Sequence, residues 1–286
     1  MKTITPCRPK WKGILTDRER FIRQMHYQPI DRTFNMEFGY WDENFKLWPM
    51  FFENGISTNE EADRYFNFDR LETVQGVLWM SPPFERKTVE VRGTTKIMIN
   101  EDGLFAEVPV DGHDTIPHYV KASVITPDDW KKVKAERFRR DDPARKVDIE
   151  ALVKAHAGRD YPLGVGVGSM IGKVRDMLTF EGLAYATYDY PEMVEDMVET
   201  SCQLTEDFLD QILPHFDFDY ASGWEDICYN MGPIVSVDFF NSIVVPRYKR
   251  IGAKLKKANI DLWYTDCDGD AGRMHVAAFY CRFGYT

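Results

Sequence analysis

No apolar run in these 286 residues approaches the 18 needed to cross a bilayer, and the opening MKTITPCRPKWKG lacks an apolar signal core. No block of Lys or Arg occurs and the net charge is −10, which argues against a nucleic-acid partner. Cysteine is scarce: five residues, at 7, 202, 228, 267 and 281, with no C-x-x-C spacing. That pattern reads as free thiols in a reducing cytoplasm. Of six histidines, His113 and His118 stand five apart in a polar stretch with no third ligand to join them, so a solvated loop is expected there. What remains is an ordinary globular mixture, 44% hydrophobic and 29% charged, long enough for one barrel-sized domain over 1–286.

The pattern of elements is legible. LTDRERFIRQMHYQ predicts a helix capped by Thr16 or Asp17, with Phe21 and Met25 on one face. Residues 32–41, RTFNMEFGYW, read as a strand running into an aromatic turn. NFKLWPMFFENG predicts a short helix broken by Pro49 and closed by Gly55. Between 86 and 110, alternation around Gly93 and Asp102-Gly103 predicts a small antiparallel β insertion with hairpin turns. Thr126 and Pro127 open another helix. From 160 onward the order is strand, helix, strand, helix, strand: 161–170, a long helix from Tyr190, a strand ending at Trp224, a helix capped by Ser236, and IDLWYT. Such alternation argues for parallel strands covered by helices.

In a parallel α/β barrel the chemistry lies just past the C-terminal ends of the strands. Those positions hold Gly168-Ser169, Trp224-Glu225-Asp226, and Asp266 to Asp270, with Glu37-Phe38-Gly39-Tyr40-Trp41 after the earlier strand. On a strand Asp266 and Asp268 face one way and Cys267 the other. Such a carboxylate pair can hold a cation, or share a proton so that one acts as a general acid; a helix cap or turn is the plainer account. Cys267 has no histidine nearby and reads as an inert thiol. GVGVGSMIG has G-x-G-x-x-x-G spacing, one residue too long for a dinucleotide loop. Tyr185 and Thr187 stand where a ribose-binding acid belongs, so no nucleotide is expected and small-residue strand packing explains the glycines.

Several stretches together resemble the uroporphyrinogen decarboxylase superfamily, in its decarboxylase-like branch related to corrinoid-dependent methyltransferases. They are LTDRERFIRQMHYQPIDRTFNMEFGYW, GSMIGKVRDMLTFEGLAYATYDYPEMV, WEDICYNMGPIVSVDFFNSIVVPRYKRI and DCDGD, in the family's order, over about 15–270. The resemblance implies a TIM-type (β/α)8 barrel. True uroporphyrinogen decarboxylases carry an Arg-Gln-Ala-Gly-Arg element where this chain has Glu37 to Trp41, which speaks against gripping a polycarboxylate. The methyltransferase branch has His-x-Cys for zinc where this chain has Asp266-x-Asp268, a pair suited to a harder divalent metal or to none.

The expectation that follows is methyl transfer on a small methylated compound, with a corrinoid or a corrinoid protein. Asp266, Asp268, Glu225 and Asp226 would be acid/base or metal-binding groups. Glu37, Tyr40, Trp41, Ser169, Arg175 and Trp224 would be substrate contacts. The alternatives are decarboxylation of uroporphyrinogen or another carboxylic acid, and an inactive or binding-only chain. After Asp270 the family supplies a further helix and at least two strands, whereas AGRMHVAAFYCRFGYT (271–286) resembles nothing in it. About six barrel strands are counted. The chain is expected to be truncated or frame-shifted, with an incomplete barrel whose open flank a homodimer could bury.

Overall fold

The computed structural model describes residues 3–11, 13–111, 117–229 and 232–266, with the backbone alone at Tyr229 and Asp266. Contacts divide the chain into two compact units. One holds the described residues of 1–72, 109–116 and 158–163; the other holds those of 73–108, 117–157 and 164–286.

In the first unit, helix α1 (Asp17–Met25) starts at Thr16 through a capping box. The Thr16 hydroxyl accepts from the Glu19 amide at 3.1 Å, and the Glu19 carboxylate accepts from the Thr16 amide at 2.9 Å. On its buried face Arg20 bridges Asp17 and Asp31, each at 2.9 Å. Helices α2 (Asp42–Leu47) and α3 (Pro49–Phe52) are split at Pro49 as predicted, and α4 (Asn59–Phe66) follows. Their apolar faces close on Phe45, Phe51, Ile56 and Ala62.

The predicted strand over 32–41 does not form. Its amides are taken by side chains instead: Phe34 donates to Gln24 Oε1 at 2.7 Å, Asn35 to Asp69 Oδ2 at 2.9 Å, and Tyr40 to Asn59 Oδ1 at 2.7 Å. Local acceptors of this kind compete with a sheet ladder for the same donors.

The second unit carries the strands: β1 (Glu72–Val74), β2 (Lys87–Arg92), β3 (Thr95–Ile99), β4 (Phe105–Pro109), β5 (His118–Lys121), β6 (Leu163–Gly166), β7 (Tyr220–Trp224), β8 (Cys228–Tyr229), β9 (Gly232–Pro233) and β10 (Trp263–Asp266). Its helices are α5 (Pro127–Arg137), α6 (Ile149–Ala155), α7 (Gly172–Leu178), α8 (Phe180–Asp189), α9 (Pro191–Ile212), α10 (Val237–Phe239) and α11 (Val245–Lys257). One sheet runs β1-β6-β7-β10, with β6/β7 and β7/β10 parallel. The predicted insertion is a separate sheet, β2-β3-β4-β5, extended by one strand beyond 110. Gly93 and Gly103 both turn its hairpins at positive φ, as the sequence predicts.

The fold is thus mixed α/β, with parallel and antiparallel sheets. Among the described residues the sheet that holds the parallel pairs has four strands, not six, and does not close into a TIM-type barrel. The segment read as the first barrel strand spends its amides on side chains, and the residues beyond 266 lie outside the described part.

Helix α9 buries Val194, Met197, Val198, Leu209 and Ile212, and α11 buries Ile251 and Leu255. Arg247 pairs with Glu195 and Glu199 across these two helices, each at 2.9 Å. The single helix predicted after Ser236 is interrupted by a π turn over Phe240–Val244. Pro246 has no amide to donate and crowds the carbonyl four residues earlier, and the wider turn relieves this. Strand β6 is glycine-rich for packing: a Cβ at Gly166 would lie 2.0 Å from Gln75 Oε1. Among the described residues no helix is long and apolar enough to cross a membrane. Cys202 and Cys228 are buried and Cys7 is exposed, and none of the three is in a disulfide.

Candidate functional site

The C-terminal ends of β6 and β7 open on a cavity of about 320 Å³, lined by Gln75, Trp79, Ser169, Lys173, Ser222 and Trp224 among others. Strand β10 brings its own C-terminal end to this edge, because Asp266 pairs in register with Trp224. Two predicted contacts, Ser169 and Trp224, therefore line a cavity at the C-terminal edge of this sheet.

Glu225 follows Trp224 and turns inward, 2% exposed. Its carboxylate accepts from the amides of Met170 at 2.5 Å, Ile171 at 2.8 Å and Gly172 at 2.9 Å, and from the Ser169 hydroxyl at 3.2 Å. The Tyr248 hydroxyl on α11 donates to it as well. The Ile171 and Gly172 amides are orphan donors at the start of α7 and Met170 precedes its cap, so Glu225 fastens the turn that carries Ser169 to the end of its own strand. Gly172 has to be glycine here, since a Cβ would lie 2.3 Å from the Glu225 carbonyl oxygen. Burial pushes the Glu225 carboxyl up to about 7, against the downward pull of the amides.

Asp226 sits at φ +48°, in the left-handed region. Arg175 Nη1 donates to its Oδ2 at 2.6 Å and to its carbonyl at 2.8 Å, while Nη2 reaches Asp176 at 3.1 Å. The guanidinium lies 5.2 Å from the centre of the Trp224 ring, and the Lys173 ammonium 5.9 Å from it. Burial works to lower the Arg175 pKa, but its bond to Asp226 holds it above the ordinary value.

The antiparallel sheet reaches the same place through its β3–β4 turn. Asp102 accepts from Trp79 Nε1 at 3.0 Å and lies 3.8 Å from the Lys173 ammonium. Burial raises its carboxyl, helped by the neighbouring Asp176.

The structure thus gathers Ser169, Arg175, Trp224, Glu225 and Asp226. Of the predicted acid/base or metal residues, Asp266 is placed by its backbone, and Asp268, with Cys267, lies outside the described residues. Glu37, Tyr40 and Trp41 belong to the first unit. There Glu37 is exposed and accepts from the Phe38 amide at 2.8 Å, and Trp41 is 63% exposed. The Tyr40 ring packs edge-on to Phe51 at 4.9 Å, as part of an aromatic cluster. His113 lies outside the described residues; His118 is exposed on β5, 3.6 Å from Glu107.

The sequence reading missed Gln75, Trp79, Asp102, Lys173, Asp176, Ser222 and Tyr248. Lys173 lies within a motif quoted above and could have been suspected from its place just past a strand end. The others carry no local signal. Among the described residues no three His, Cys, Asp or Glu side chains gather as a metal site.

No protein-family model matches the chain, and no curated protein matches it. Among solved structures it is similar to a methyltransferase from Methanosarcina mazei, at 11% identity and a TM-score of 0.48, over 95% of this chain and 75% of that one.

Proposed function

We propose that the parallel sheet is part of a (β/α)8 barrel and that the chain is an enzyme transferring a methyl group from a small methylated compound, with a corrinoid as carrier. The supporting observation is the cavity at the strand ends. At about 320 Å³ it sits at the low end of ligand sites, with room for a small molecule and none for a macrocycle. Its two indoles offer apolar walls. Lys173 is the one cation among its described lining residues, and Asp176 already lies 3.4 Å from its ammonium. A porphyrinogen with many carboxylates would need both more space and more cations.

In this reading a corrinoid, presented at the mouth by a corrinoid protein, would supply the methyl acceptor, and the demethylated amine, thiol or alcohol would leave with a proton from one of the acid/base carboxyls. Trp79 and Trp224 enclose the methylated compound and keep water out. Ser169 contacts it, and Glu225 acts as a positioning residue through Ser169. Asp226, Asp266 and Asp268 are the proposed acid/base or divalent-metal groups.

The test is to mix the chain with a reduced corrinoid and a panel of methylated amines, thioethers and methyl ethers, following methylation by corrinoid absorbance. One of these compounds is expected to methylate the corrinoid, at least tenfold more slowly with Trp224→Ala and with Asp266→Asn at unchanged circular dichroism. Consumption of a porphyrinogen without corrinoid methylation would move the reading to decarboxylation. Inertness towards both would leave no catalytic reading.

A further inference from the structure

The first unit has a cavity of its own, about 340 Å³, which the proposed chemistry does not use. Arg8, Lys10 and Arg32 line it together with Trp11, Phe66 and Asn67, and no carboxylate is among its described lining residues. In a chain of net charge −10 this is a local reversal of sign.

The three cations have different duties. Asp69, whose side chain is fully buried, binds Arg32 Nη2 at 2.6 Å and the Lys10 ammonium at 2.8 Å. Lys10 also reaches Asp17 at 3.1 Å, and Arg32 donates to the Trp11 carbonyl at 2.9 Å. Lys10 and Arg32 are therefore held in place and balanced by Asp17 and Asp69.

Arg8 is different. Its main chain is pinned, since the Asn67 side-chain amide donates to its carbonyl at 3.1 Å and the adjacent Cys7 amide donates to the Tyr65 carbonyl at 2.8 Å. Its guanidinium has no partner among the described residues. One positive charge is thus left over beside the cavity, on a fork that matches a carboxylate in two parallel bonds. Trp11, 59% exposed, and Phe66 supply apolar surface next to it.

We infer that this cavity binds a small organic monocarboxylate, its carboxylate on Arg8 and its apolar body against Trp11 and Phe66. The site is separate from the one assigned to methyl transfer and does not depend on that reading.

The experiment titrates the full chain with benzoate by calorimetry and by saturation-transfer NMR of the benzoate ring. Saturable binding with Kd on the order of 1 mM is expected. Arg8→Gln should weaken it at least tenfold at unchanged circular dichroism, and Trp11→Ala should weaken it while reducing transfer to the ring. The exposed-lysine control Lys131→Gln should leave it unchanged. Neutral benzamide should not bind. No saturable benzoate binding, or binding indifferent to Arg8→Gln, overturns the proposal. Inorganic phosphate binding more tightly than benzoate also overturns it, because the apolar wall would then contribute nothing.

Discussion

Arg175, the fourth residue of α7, clamps Asp226 from both sides, with Nη1 2.6 Å from the carboxylate and 2.8 Å from the carbonyl of the same residue. The clamp holds Asp226 at φ +48°, a conformation that costs a non-glycine residue energy unless its surroundings enforce it. Trp224, two residues earlier, forms part of the cavity wall, so the ion pair sets the course of the chain as it leaves that wall.

Removing this clamp should loosen the strand end. Both side chains are mostly buried, so Asp226→Ala is expected to destabilise the second unit by about 1.5–3 kcal/mol. Asp226→Asn, which tolerates the left-handed region, should cost roughly half as much. Urea unfolding measures both, and hydrogen exchange of the α7 amides localises the effect. Strictly additive losses in an Arg175→Ala, Asp226→Ala double-mutant cycle would show that the pair contributes no coupling.

Glu225 should make the second unit less stable as the medium becomes alkaline. Its folded pKa of about 7 lies above the ordinary 4.5, so the folded state keeps the proton over that interval and the unfolded state releases it. The contribution is complete below about 4.5 and is lost as pH rises through 7. Urea midpoints at pH 5.5 and 8 should therefore fall in that order, and Glu225→Gln should flatten the difference. Glu225→Gln should also lower stability at both pH values, because one carboxamide oxygen cannot serve three amides. A variant with the full pH dependence of the parent would assign that dependence to other groups.

The two crowded glycines should respond differently to alanine. At Gly172 a methyl group would meet the main-chain carbonyl of Glu225 at 2.3 Å, which cannot retreat without moving the clamp region. A loss of about 1–3 kcal/mol is expected and, on the proposed reading, slower methyl transfer. At Gly166 the obstacle is the end of the Gln75 side chain, an exposed and flexible group, so Gly166→Ala should cost less than about 1 kcal/mol. Equal losses at the two positions would mean that Gln75 is held as rigidly as main chain.

Much of the second unit was readable in the linear chain because its signals are local. Thr126 with Pro127, Gly93 and Gly103 at the hairpin turns, and the alternation of strand and helix after 160 each act within a few residues. The short β1, three residues long, offered no such pattern. The 32–41 segment misled for the opposite reason. Its composition suits a strand, but the groups that took its amides come from as far as Asp69, and a hydrophobic pattern carries no record of them.

The site divides in the same way. That polar residues cluster past the strand ends at 169, 224–226 and 266 follows from reading the chain, since strand ends mark themselves. Which of them face a cavity does not. Glu225 and Asp226 are adjacent in sequence and do different work: one binds the amides that open α7, the other is clamped by Arg175, 51 residues earlier. Trp79 and Asp102 join them from the loop after β1 and from the antiparallel sheet. Caps, turns and periodicity are set by neighbours along the chain, whereas burial, ion pairing and a shifted carboxyl depend on groups that only folding brings within a few ångströms.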